Sequence, residues 1–223
     1  MLSTSTSLSR SRSCGSKKGL ALSLSKGFTL VELLVVVSIM LIITSTLLLQ
    51  QQKFNSATLM RTLAYNIALS IRQAQVYGTS VVGTNQSGAT TFAAGYGIYF
   101  SSTVDYLLFA DFNNNGRYNS GNEEHKKTFT LGSGYTISNF CAVVTPSSYY
   151  CKSGGTGTNI TSIAISFKRP NPDAQLVELT DVSTAVSSAY IQLKSPGGDT
   201  RAVSVTTTGQ ISVCGVNKTI PDC

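Results

Sequence analysis

The sequence has no tryptophan, one histidine (His125) and little charge, with Asp, Glu, Lys and Arg making up 12% of its 223 residues. A lone histidine leaves no His pair or His–Cys set to hold zinc. Nor does any C-x-x-C, G-x-S-x-G elbow or phosphate-binding glycine loop stand in for it, so no catalytic constellation is indicated. The scarcity of charge, set against 42% hydrophobic residues, excludes a solvated disordered tail; it also leaves the chain short of a multi-span membrane protein. Acids are missing altogether from the first 27 residues, where Arg10, Arg12, Lys17, Lys18 and Lys26 supply +5 of the formal net charge of +7. The rest of the chain carries only +2. The basic balance therefore argues for nucleic acid only if that N-terminal piece stays attached.

What the chain does have is one long apolar run. Residues 28–49 read FTLVELLVVVSIMLIITSTLLL, interrupted only by Thr29, Glu32, Ser38 and Thr44-Ser45-Thr46. As a helix the run spans about 33 Å, the thickness of a bilayer core. Lys17, Lys18 and Lys26 precede it and only Lys53 follows closely. The positive-inside rule then predicts one pass, with the N-terminus in the cytoplasm and the bulk of the chain exported. A cleavable secretory signal would have a shorter apolar region, about 7–15 residues, and a small-residue site after it. Here Gln50-Gln51-Gln52-Lys53 lead instead into helical periodicity. Leu59, Leu63, Ile67 and Ile71 recur at four-residue steps, and Met60, Ala64 and Ala68 thicken the stripe. One long helix over roughly residues 29–77, ended by Gly78, is expected, first a membrane anchor and then the spine of a domain.

Glu32 does not suit a passive anchor. A carboxylate within a membrane helix costs about 3 kcal/mol even on insertion scales, so it needs a cation, unless its place one turn into the span keeps it hydrated. Its neighbours are Lys26-Gly27-Phe28-Thr29-Leu30-Val31-Glu32-Leu33-Leu34-Val35-Val36. This segment resembles the class III signal of type IV pilins and type II secretion pseudopilins, in which a prepilin peptidase cuts after Gly on the cytoplasmic side. The resemblance implies a cytoplasmic leader over 1–27, an N-methylated mature N-terminus at Phe28, a pilin helix over 28–77 that crosses the membrane at 28–49, and an exported domain over 78–223. It also implies the missing cation. Cutting after Gly27 creates an ammonium group on Phe28, which Glu32 would meet within one helix or across neighbouring subunits. Cys14, preceded by Ser11-Arg12-Ser13 and not by an apolar run, is read as a leader thiol that is discarded.

Beyond Gly78, short apolar or alternating runs stand between clusters of Gly, Ser, Thr and Asn: 97–100, 106–109, 128–131, 135–144, 160–167, 176–179, 189–193, 202–205 and 210–213. These nine predicted strands can bury a core, with the apolar helix face against one sheet. The fold class is α+β, a helical spine on antiparallel sheet. Segments 83–91 and 153–159 read as polar loops. With Cys14 gone, four cysteines remain in an oxidising compartment and allow three pairings. Cys141–Cys151 and Cys214–Cys223 are favoured, because each closes a short polar loop.

Residues 111–124, DFNNNGRYNSGNEE, approximate a D-x-N-x-N-G calcium loop. Asp111, Asn113 and Asn115 are the alternating oxygen donors, and Glu123 comes one place after the twelfth position, where Asn122 stands. An Asn/Gly-rich hairpin between the flanking strands accounts for the same residues with fewer carboxylates. The run from Phe109 to Gly116 with Glu123, and the helix end at Arg72-Gln73-Ala74, also resemble GspH/FimT-type minor pilins. In DNA-uptake members of that group a C-terminal Gly-Arg-x-Arg segment contacts DNA. Here Gly209-Gln210-Ile211-Ser212 carries neither arginine, and Lys126, Lys127, Lys168, Arg169, Lys194 and Arg201 read as a scattered, solvated set.

The expectation is a structural subunit and not an enzyme. It would be a minor pilin or pseudopilin, single-pass in the bacterial inner membrane and then in a pilus or pseudopilus. Its partners would be other pilin subunits, prepilin peptidase, the inner-membrane assembly platform and membrane lipid, with no cofactor. The alternatives are a binding module displayed on that filament, for DNA or a surface, and a membrane-anchored domain with calcium as its cofactor, whose leader would stay uncut.

Overall fold

The computed structural model describes residues 27–80, 82–86, 89–92, 94–120, 124–132, 134–145, 148–157, 159–178 and 186–218. A single helix, α1 (Leu30–Thr79), precedes β1 (Thr84–Gln86), β2 (Ala89–Thr91), β3 (Gly95–Phe100), β4 (Asp105–Asp111), β5 (Glu124–Thr130) and β6 (Thr136–Thr145). There follow β7 (Ser148–Cys151), β8 (Ile163–Phe167), β9 (Ala174–Glu178), β10 (Ser188–Lys194), β11 (Thr200–Thr206) and β12 (Ile211–Val216). The chain divides into two compact units, Met1–Leu47 and Leu48–Cys223.

In the first unit the described residues are the apolar part of α1 and the three residues before it. Its large apolar side chains are all exposed, and α1 is long and apolar enough to cross a membrane. The hydroxyls of Ser38, Thr44 and Thr46 are satisfied by the helix itself. Ser38 Oγ donates to the Val35 carbonyl at 2.8 Å and Thr46 Oγ1 to the Ile43 carbonyl at 2.8 Å, so neither needs a partner outside the helix.

In the second unit α1 becomes amphipathic and buries Met60, Ala64, Ile67, Ile71 and Ala74. The buried face differs from the expected stripe at its start, where Leu59 is 47% exposed and Met60 takes its place. Strict four-residue steps drift about 40° each off a 3.6-residue turn, whereas alternating steps of four and three hold one face. Gly78 does not end the helix, which runs on to Thr79. A Cβ there would stand 2.2 Å from the Phe167 carbonyl oxygen, so the glycine serves close approach of the helix end to β8.

Two five-stranded antiparallel sheets, ordered β12-β11-β10-β6-β7 and β5-β4-β3-β8-β9, receive this helix face. The chain passes from one sheet to the other after β5, β7 and β9, and within each stay consecutive strands pair as hairpins. Ile98 and Ile165 from one sheet, Phe140, Ile191 and Val203 from the other, and Ile67 from α1 share one core. Alternation explains the strands, as in β10, where Ala189, Ile191 and Leu193 are buried while Tyr190 and Gln192 are half-buried. All nine expected strands form. The segment 83–91 is not wholly loop, because Thr84–Gln86 pairs with Ala89–Thr91 as a separate antiparallel hairpin, and β7 adds an edge strand that the sequence did not announce.

Polar ties fix the helix to the sheets. Ser70 and Tyr106 share a buried hydrogen bond of 3.0 Å. The buried Gln75 donates from Nε2 to the carbonyls of Pro172 at 2.9 Å and Gly209 at 3.1 Å.

Candidate functional site

The N-terminal segment is shaped by its cap. The Thr29 carbonyl accepts the N–H of Leu33 at 3.2 Å, and Thr29 Oγ1 accepts the N–H of Glu32, also at 3.2 Å. Thr29 is therefore the N-cap and Glu32 the third helical residue, the T-x-x-E pattern of a capping box. The Glu32 carboxylate stands in the first turn, where the helix dipole favours negative charge. Gly27 and Phe28 precede the helix. Phe28 is 77% exposed, and among the described residues nothing lies within 4 Å of where a Gly27 Cβ would be. The three residues singled out by sequence thus lie together at the start of α1, with Phe28 about a turn from Glu32. The cap itself was missed, although Thr29-Leu30-Val31-Glu32 spells it.

The loop after β4 is closed on its own amides. Asp111, 1% exposed, accepts the N–H of Asn115 on Oδ1 at 3.2 Å and that of Gly116 on Oδ2 at 2.7 Å. Asn113 Oδ1 accepts the Asn115 N–H at 3.0 Å, and Asn115 Oδ1 accepts the Arg117 N–H at 2.8 Å. Asn114 and Gly116 take the left-handed φ values, 57° and 78°, that this tight path requires. Burial pushes the Asp111 carboxyl above its ordinary range, while the amides of Gly116, Asn115 and Asn114 and the charge of Lys168 draw it back. The loop then lies back on the sheet through Tyr118, whose ring meets Tyr99 at 4.9 Å and Phe109 at 5.4 Å. Glu123 lies outside the described residues. Among the loop residues whose side chains are described, Asp111 is the one carboxylate, and the amides of Gly116, Asn115 and Asn114 already draw on it, where a calcium site draws six to eight oxygen ligands. Among the described residues no three His, Cys, Asp or Glu side chains converge.

Cys141 and Cys151 stand opposite each other in the β6–β7 register and form a disulfide, with Cα atoms 4.0 Å apart. Cys214 on β12 is disulfide-bonded too, and its expected partner Cys223 lies outside the described residues. The cations are engaged separately. Lys127 sits over the Phe129 ring at 4.7 Å, Arg169 donates to the Phe92 carbonyl, and Arg201 donates to the Cys214 carbonyl at 3.2 Å. The turn before β12 closes with the Gly209 N–H on the Thr206 carbonyl at 2.9 Å. A groove of about 390 Å³ runs between Gln210 and Ile211 on this turn and Tyr65, Leu69 and Arg72 on α1. Arg72 is thus the cation placed beside the turn, which distance along the sequence concealed.

No curated protein and no solved structure matches the chain. Residues 22–48 match the family model described as the prokaryotic N-terminal methylation motif. Its described part, residues 27–48, is the capped, exposed start of a membrane-length helix, and the motif supports a type IV pilin-like protein: it points to a structural subunit, fits a single-pass inner-membrane anchor, and implies processing by prepilin peptidase and assembly with other pilins.

Proposed function

We propose that the chain is a minor pilin or pseudopilin of the GspH/FimT type. Prepilin peptidase removes residues 1–27, Phe28 becomes the N-methylated terminus, and α1 packs among the helices of other subunits in a type IV pilus or type II secretion pseudopilus. The observation that carries this reading is the methylation motif on a helix whose first part buries nothing in its own chain. Such a surface needs lipid first and other helices later. Cleavage removes five positive charges that hold the helix end at the cytoplasmic face. It also makes the Phe28 ammonium, which compensates Glu32 in an apolar filament core and so sets subunit register. Glu32→Ala should leave leader removal intact and abolish most incorporation into filaments. Normal incorporation of that variant would contradict the charge pairing.

One observation favours a second reading, a DNA-binding role for the displayed domain. Arg72 borders the groove at Gln210, and Arg61 lies over the Tyr65 ring at 5.7 Å on the same helix. A salt-sensitive DNA gel shift with the detergent-solubilised chain, weakened by Arg72→Gln, would support it, and no shift at low salt would end it.

A further inference from the structure

We propose that Thr29 is a positioning residue for leader removal, its cap holding the Gly27–Phe28 peptide bond outside the helix where a peptidase can reach it. The inference rests on the processing proposed above and gives a structural reason for the position of the cut. Proteolysis favours exposed backbone free of regular structure, and the backbone at Gly27 and Phe28 is both exposed and non-helical. Nothing in the apolar run beyond Thr29 tells a helix where to begin. In an apolar surrounding an uncapped helix extends until its first N–H groups find acceptors. Thr29 ends that search, since its Oγ1 takes the Glu32 N–H and its carbonyl takes the Leu33 N–H. Without the Thr29 hydroxyl, the nearest upstream residue with a capping side chain is Ser25. A helix begun there would carry Gly27 and Phe28 in its first turn, with the scissile bond wound into it. Gly27 works in the same direction as the cap, because glycine resists helix.

The test follows leader removal by mass in membranes that contain the full-length chain and prepilin peptidase, for the wild type, Thr29→Val, Thr29→Ser and Thr29→Asn. Valine keeps the shape and loses the acceptor, so its cleavage should slow about fivefold, the factor to which the usual worth of an N-cap converts. Serine and asparagine cap helices as well as threonine and should stay within about twofold of the wild type. Cleavage of the valine variant at the wild-type rate would overturn the proposal. So would serine and asparagine variants as slow as valine, which would mean direct recognition of the threonine. A wild-type chain left uncut at Gly27 would instead overturn the processing reading itself. The Cys141–Cys151 bond, read by non-reducing mobility, reports that each variant's exported domain has folded.

Discussion

From Leu30 to Leu47 the large apolar residues of α1 are 47–80% exposed, while Met60, Ile67 and Ile71 on the same helix are exposed by 2% or less. Both halves are rich in Leu, Ile, Val and Met, so hydrophobicity alone does not separate them. Arrangement does. In the first half apolar side chains surround the axis, and no single protein face can cover them. In the second they return at steps of three and four, and one stripe meets two sheets. The first half is therefore matched to a solvent of lipid or of other helices, and the second to its own domain.

That contrast is broken most readily by truncating one residue in each half. Ile71→Ala should cost the C-terminal domain about 3 kcal/mol in denaturant unfolding, as buried isoleucines usually do. Ile39→Ala should change it by less than about 0.5 kcal/mol. Equal effects would mean that the two halves do not differ as described. A smaller loss, about 2–3 kcal/mol, is expected for Cys141→Ser with Cys151→Ser, confined to the domain and absent from membrane anchoring. Unchanged unfolding of the double variant would show that β7 is held without the bond.

A smaller loss again is expected at Asp111. Asp111→Asn keeps one amide acceptor and loses the other, at a cost of about 1 kcal/mol. Burial raises the carboxyl, so the folded chain holds that proton more tightly than the unfolded one does. The resulting stabilisation is full below the unfolded value and is lost as pH rises through the raised folded value. The wild type should accordingly gain on Asp111→Asn as pH falls from neutral into the carboxylate range, and a gap that moves the other way would place the charge elsewhere. Added calcium should shift the melting temperature of neither protein. A rise confined to the wild type would make this loop a metal site.

Strong local signals carried most of the fold. The strands around Ile98, Ile165, Ile191 and Val203 announce themselves because β-branched and aromatic residues alternate there. The hairpin at 84–91 did not, since Thr, Asn, Gln and Ala make no apolar face and its pairing is local. β7 escaped because Ser148-Tyr149-Tyr150-Cys151 is short and depends on its neighbour β6 and the disulfide. At the N-terminus the motif around Gly27, Phe28 and Glu32 was legible from order and spacing, and the family model matches over residues 22–48. The Thr29 cap required reading the same four letters as helix chemistry. Arg72 beside Gln210 was not legible at all, because 138 positions of chain separate them and only the fold brings them to one groove.

Intact mass and N-terminal analysis of the membrane-extracted protein, made with and without prepilin peptidase, tests the central claim most directly. With the peptidase, the chain should begin at an N-methylated Phe28; without it, residues 1–27 should remain. Recovery of Met1 in the presence of active peptidase, or of an N-terminus beyond Leu49, would contradict the claim.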